Sequence, residues 1–418
     1  MSASVDTAIV GAGIFGLATA HALCRDGAGS VALFDRDMPS SGDSGRSFSM
    51  VRRHYSNEVT AQLAMAGSRT IMHWHDEVGV ADAGYVRCGY LLTVPDGLRE
   101  ACRSNLAMLQ ALGLDTCFLE PDEIADVEPE LSLDGVAGAA YEPDGGFADA
   151  QKMCLGWFAA ATSHGLRHHL GRAVNAIRVH AGRAVGLETA GGFVPAGQIV
   201  LAAGAWANDL LRPLGAGQPI ELRRLQVLVG RTDPGGSLPS AVCSDAVTNV
   251  VVRPDRGRQF CAVVYAGEDV LERADDCDHG LSAGYEDAAR SGLRTRYPRL
   301  ADFELVRGFA GPYDVTPDWN PIIGPCPGID GSTSQWAGAA TDSSSRRPSG
   351  RSWPRRSAHE RRRSTSARCG HSGSPRGGCF GSRTGRARAP SLPGRPGTRL
   401  RPRRRPVLPP RPPRRRAT

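Results

Sequence analysis

Six residues near the N-terminus, Gly11-Ala12-Gly13-Ile14-Phe15-Gly16, carry three glycines at the spacing of a phosphate-binding turn. Each glycine has a task in such a turn. Gly11 permits the tight bend, Gly13 lets the backbone approach a pyrophosphate, and Gly16 lets helix and strand pack closely. The helix N-terminus then offers N–H groups and partial positive charge to the phosphates. Asp35, 24 residues after Gly11, is placed to accept hydrogen bonds from a ribose hydroxyl, with Arg36 beside it. An acid there disfavours a 2′-phosphate, and so NADP, and leaves NAD and FAD open. The next segment, Ser40-Ser41-Gly42-Asp43-Ser44-Gly45-Arg46-Ser47, is small and polar. Such a loop can wrap a second phosphate or a ribityl chain, which favours FAD. Its candidate contacts are Ser41, Ser44, Gly45, Arg46 and Ser47.

The elements that must position these groups are legible around them. Residues 7–10 are an apolar run that fits a buried parallel strand. Residues 17–23 have helical composition, Gly27 and Gly29 end that helix, and residues 31–34 read as a second strand. Further strands are expected near 85–93, at 174–179 and 184–188, at 198–201, and at 223–231, 247–253 and 259–265. Helices are expected at 99–112, from 121, at 150–161 and at 285–297. The 198–201 strand runs into Ala202-Ala203-Gly204-Ala205-Trp206, a corner of small residues that lets backbone come close to a ligand.

Composition bounds the rest. The chain has 418 residues, 41% apolar and 22% charged, enough for two or three domains. Its net charge of +7 is unevenly spread. Residues 332–418 hold 23 arginines, no lysine and two acids, whereas residues 1–331 hold 27 basic and 41 acidic residues. The 11 cysteines form no Cys-x-x-Cys pair, so neither a disulfide framework nor a metal site is expected, and a cytoplasmic location is. No stretch reaches the roughly 18 apolar residues of a membrane span, and residues 8–23 lack the basic flank of a signal peptide.

Ser49-Met50-Val51-Arg52-Arg53-His54-Tyr55, following the small-residue loop, resembles the sarcosine oxidase branch of the D-amino-acid oxidase-like flavoproteins. So do the Ala203-Gly204-Ala205-Trp206 corner and the late segment Gly311-Pro312-Tyr313-Asp314-Val315-Thr316-Pro317-Asp318. The last is similar also to β-type subunits of multi-subunit sarcosine oxidases. The resemblance covers residues 5–330. It implies an α/β (overall α+β) chain with a Rossmann-like FAD-binding domain in residues 1–84, 145–215 and 305–331. It implies a discontinuous antiparallel-sheet substrate domain in residues 85–144 and 216–304. It adds Val174, Ala203, Gly204 and Trp206 to the cofactor contacts. Where monomeric sarcosine oxidases bond a cysteine to the flavin, this chain has Gly311, so FAD is expected to be noncovalent.

The implied reaction is oxidation of an amine or amino acid by hydride transfer to flavin N5. Arg52 is the first candidate for a substrate carboxylate, because a guanidinium matches that group with two hydrogen bonds. Arg53 is the second. His54 is a candidate for adjusting the amine's protonation or for lining the flavin, and Tyr55 for the pocket wall or the core. Two other readings stay open: a flavin dehydrogenase passing electrons to a quinone or partner subunit, and an inactive pseudo-enzyme whose basic tail binds nucleic acid.

Residues 332–418, rich in Arg, Ser, Pro and Gly, cannot bury enough apolar surface to fold and are expected to be a disordered tail. The family continues at this place with a strand, a Gly-x-Ser-Gly-His-Gly turn and a Lys-Leu-Ala-Pro helix start. Back-translation from Gly331, read from the third base of its codon, permits the string VYVAVGWSGHGFKLAPSVGKIVAE. Trp336 followed by Ala337 forces the bases TGGGCN, so the shifted glycine involves no choice of codon. We read the tail as a frameshifted translation whose lost segment would complete the flavin site.

Overall fold

The apolar run at residues 7–10 is strand β1 (Val5–Val10), followed by helix α1 (Ile14–Arg25) and strand β2 (Val31–Phe34). The structure is a computed structural model and describes residues 4–80, 82–265 and 269–336. β1 runs parallel to β2 on one side and to Gly192–Leu201 on the other. Alternate side chains enter two cores. Ile9, Val31 and Leu33 pack with α1 and the helix Ala150–Ser163, whereas Ala8, Val10, Ala32 and Phe34 enter the core on the opposite face. Burial on both faces explains why residues 8–10 and the whole of β2 are apolar without a break.

That sheet has eight strands. Val174–His180, Arg183–Thr189 and Gly192–Leu201 form an antiparallel meander at one side, and Arg167–His169 lies beside β2. Ser332–Trp336 adds in parallel to Gly192–Leu201, with Ile199 opposite Ser332, and Ile322–Pro325 pairs antiparallel with it. This corrects the tail boundary expected at residue 332, since the sheet continues five residues further. The strand is polar in sequence. What places it is the ladder beside Gly192–Leu201, whose main-chain groups need partners whatever side chains the neighbour carries. The expectation of disorder for residues 337–418 lies outside the described residues.

A second sheet has nine strands, drawn from residues 90–142 and 221–315. One face, with Leu228, Val252, Phe260 and Ala262, packs on the helix Tyr285–Arg296. The other, with Val227, Val229, Val251 and Val263, turns towards Phe48. Two boundaries differ from expectation. Residues 247–253 are not one strand. Val242–Asp245 and Val250–Pro254 are joined by a turn in which the Asp245 carboxylate accepts from the amides of Val247 (3.2 Å) and Thr248 (2.9 Å), and Asn249 takes a positive φ of 62°. The return to the first sheet, expected at 305, comes after Val315, because Glu304–Val315 pairs along the length of Glu221–Arg231.

Strand β3 (Met50–Val51) and helix α2 (Glu58–Met72) connect the two halves. Composition did not announce α2. Its start is set by Asn57, whose side chain accepts from the Thr60 amide at 2.8 Å. Among the described residues no helix is long and apolar enough to cross a membrane, and no cluster of side chains could hold a metal ion.

Candidate functional site

The glycine turn is held in place by a second corner almost two hundred residues away. Gly11 has φ +110°, and a Cβ there would stand 2.2 Å from the Ala202 carbonyl oxygen. A Cβ on Gly16 would stand 1.9 Å from the Gly11 carbonyl oxygen, so only glycine lets α1 begin this close. The Gly11 amide donates to Phe34 O and the Ala202 amide to Val10 O, each at 2.8 Å. Gly13 is the N-cap of α1 in extended backbone, and a Cβ on it would come within 3.1 Å of Ser44 Oγ.

The acid that ends β2 is part of the same construction. Asp35 accepts from the Ala12 amide at 2.6 Å and from the Asp37 amide at 2.8 Å. Burial pushes its carboxyl up from the ordinary value, and those two amides oppose the shift. The loop at residues 40–47 closes onto the turn. Ser40 N donates to Ala12 O at 3.0 Å, and the Ile14 amide donates to Ser44 Oγ at 3.0 Å. The Arg46 guanidinium folds back on the Ser41 and Gly42 carbonyls.

These elements border one cleft of about 890 Å³. That volume lies at the upper end of the range for cofactor and ligand cavities, roughly 300–1,000 Å³. At one end it is lined by Gly11 to Phe15, Asp35, Arg36, Ser41, Ser44, Arg46, Ser47, Val174, Ala203, Gly204 and Trp206. At the other it reaches Leu225, Ser244, Val251, Val263 and Tyr265 on the nine-stranded sheet. A bridge spans its rim. Arg36 pairs with Asp275 at 2.9 Å and lies 4.6 Å from the Trp206 ring, and Trp206 Nε1 donates to the same carboxylate at 2.6 Å. A long ligand with phosphates at the turn fits this shape, since Gly13 leaves the backbone open between the turn and Ser44. Gly16 and Gly45 do not line the cleft. Both are packing glycines, and a Cβ on Gly45 would meet Ser40 O at 2.2 Å.

The Arg52-Arg53-His54 segment divides its side chains. Arg52 is 7% exposed and lines the cleft, with Nη1 donating to the Tyr90 hydroxyl at 2.7 Å. Arg53 turns away. Its backbone amide and Nε reach Glu142 at 3.0 and 3.3 Å, and its Nη1 lies 3.8 Å from Asp144. His54 is not on the cleft, which corrects its expected role. It is buried with neither ring nitrogen hydrogen-bonded among the described residues. Burial, and then the charge of Arg52, push it down to about 3, so it is a neutral core side chain with no proton to exchange near neutrality.

Several cleft residues were not foreseen. Asp43, half-buried, and Asp314, buried, stand in its wall. Ser244, Val251, Val263 and Tyr265 come from strands whose alternation does not say which face meets a ligand. Tyr90 braces Arg52 from the adjoining sheet. The late Thr316-Pro317-Asp318 turn is tied to the start of α2, with Thr316 Oγ1 donating to Asn320 O at 2.8 Å and Asn57 Nδ2 donating to Asn320 Oδ1 at 2.8 Å.

Comparison with known proteins agrees with this geometry. Residues 6–343 match the DAO family, described as FAD dependent oxidoreductase. The chain is 23% identical over 331 residues to the sarcosine oxidase subunit beta of Rhodobacter capsulatus, covering 78% of each chain. Its fold superposes on L-proline dehydrogenase from P. horikoshii with a TM-score of 0.73 at 19% identity, covering 81% of this chain and 89% of that one. Glycine oxidase from Geobacillus kaustophilus gives 0.69 at 22% identity, covering 81% and 90%. With the turn, the Ala202–Gly204 corner and the cleft between two sheets already in place, the match over residues 6–343 makes this chain a member of the DAO family of FAD-dependent oxidoreductases, an enzyme whose cofactor is FAD.

Proposed function

We propose that this enzyme oxidises the C–N bond of an amine or amino acid, with FAD held noncovalently along the cleft. The observation that carries the reading is Arg52: a buried guanidinium on the cleft wall, braced by Tyr90, beside the apolar face of Leu225, Val251 and Val263. A buried cation facing an open cavity suits an anionic substrate group, here a carboxylate. The turn at Gly11–Gly13 and the amides around Ser44 would hold the pyrophosphate, Asp35 the ribose, and Val174 the adenine end. FAD would supply the hydride acceptor, its N5. The protein's share is to fix the substrate by its carboxylate, to exclude water with the apolar face, and to hold the two reactants in register. Gly311 lines the cleft with no thiol to offer, which supports noncovalent binding.

Anaerobic mixing of the FAD-loaded protein with sarcosine, proline and glycine tests the proposal. Loss of the visible flavin band with at least one supports it, and an unchanged spectrum with these and a wider panel of amino acids contradicts it. The likeness to a sarcosine oxidase β subunit favours a second reading, electron transfer to a partner subunit or quinone. Peroxide formed in air from the isolated chain would set that reading aside. The nine described cysteines are all free, which supports a cytoplasmic location.

A further inference from the structure

Two carboxyl groups that no step above uses face the same cleft. Asp43 comes from the loop after β2 and Asp314 from the strand Glu304–Val315. Each has one side-chain oxygen that is buried without a hydrogen bond among the described residues, Oδ1 of Asp43 and Oδ2 of Asp314. The other Asp43 oxygen lies against the corner, where a Cβ on Gly204 would stand 3.2 Å from it. An ionised carboxylate buried with an open lone pair is costly, and a neutral carboxyl in the same place has an O–H to donate.

We propose that Asp43 and Asp314 act as a proton-holding pair for the cofactor: FAD binding takes up a proton, and the neutral acid donates a hydrogen bond into the occupied cleft. The proposal rests on the placement of FAD in this cleft. Burial pushes Asp43 up to about 7, with the Ala205 amide, Arg46 and Arg36 opposing the shift. Burial pushes Asp314 well above the ordinary carboxyl value, and the charge of Asp43 adds to the shift. Asp43 also acts on the Cys277 thiol. Two carboxyls in one desolvated wall do not both ionise readily. A pyrophosphate entering the cleft adds negative charge and strengthens the preference for the protonated form.

The sign follows from the upward shifts. The free protein holds the proton below neutrality and releases it as pH rises through about 7, whereas the FAD complex keeps it. The dissociation constant for FAD should therefore rise about tenfold between pH 6 and 8. Titration calorimetry at pH 8, in two buffers of different ionisation heat, should show uptake of about one proton per FAD. Asp43→Asn should flatten the pH dependence and keep the tight binding of pH 6 at pH 8. Asp43→Ser should do the same if Asp43→Asn does not fold. FAD that binds with a pH-independent constant and no proton uptake overturns the pair while leaving the cleft assignment intact. So does a tenfold weaker affinity of Asp43→Asn at pH 6. FAD that fails to bind at any pH overturns the placement of FAD, and the pair with it.

Discussion

The guanidinium of Arg52 and the hydroxyl of Tyr90 meet at 2.7 Å in the cleft wall, with the Tyr55 ring 5.2 Å from the same guanidinium. Tyr90 is fully buried at the start of its strand, so it holds one edge of the guanidinium in a set direction. A lysine keeps the charge but not the planar fork. Arg52→Lys should raise the KM for an amino-acid substrate by about 10- to 100-fold, the worth of a hydrogen bond to a charged group. FAD affinity should stay within about threefold, since hydrogen bonds to the carboxylate are what change. Titration of both ligands checks this, and equal losses of the two contradict the assignment.

Arg53, one residue on, has a different task. Its partner Glu142 is fully buried and also accepts from the Arg53 backbone amide. Burial pushes the Glu142 carboxyl above its ordinary value, and the Arg53 charge and amide oppose that shift without cancelling it. Removing one member strands the other. Glu142→Ala should destabilise the fold by about 3–5 kcal/mol in urea titrations. A cost below about 1 kcal/mol, the range of surface pairs, would show the pair to be of little structural account.

The glycines can be ranked by what a methyl group would meet. Gly11→Ala forces a side chain into the Ala202 backbone and should abolish FAD binding and lower Tm. Gly97 lies in the helix Asp96–Ala111 with nothing within 4 Å of its added Cβ. Gly97→Ala, in the first turn, should therefore stabilise by up to about 0.5 kcal/mol through helix propensity alone. Thermal melts of both variants, with and without FAD, test the ranking.

His54 should make the protein acid-sensitive. Its folded-state value is depressed, so the unfolded chain takes a proton that the native chain refuses. Stability from this group is complete above the ordinary histidine value and falls as pH drops from about 6.5 towards 3, at up to about 1.4 kcal/mol per pH unit. His54→Phe should flatten the stability profile over pH 4–6.5. A slope unchanged by the substitution sinks the assignment.

Resequencing the gene tests the frameshift reading of the tail. A one-base shift near the Gly331 codon should restore the string of family-like residues, and the restored chain should bind FAD more tightly than the present one. A confirmed unshifted frame, or equal affinity of the two chains, contradicts it.

The glycine turn and the strands around it were legible in the sequence because their geometry is local. Gly11, Gly13, Gly16 and Asp35 lie within one strand–turn–helix–strand unit, and their spacing follows from backbone geometry that no distant residue alters. The Ala203-Gly204 corner was recognisable for the same reason, although only the fold shows that Ala202 is what Gly11 must clear. The wall of the cleft formed by the nine-stranded sheet was not legible. Which of Arg52, Arg53 and His54 faces the cleft depends on Tyr90 and Glu142, brought up by strands 38 to 89 residues further on. The Asp43–Asp314 wall and the Leu225, Val251 and Val263 face are likewise products of tertiary packing. An alternating strand states that it has two faces, and only the arrangement of the other layers decides which one meets the ligand.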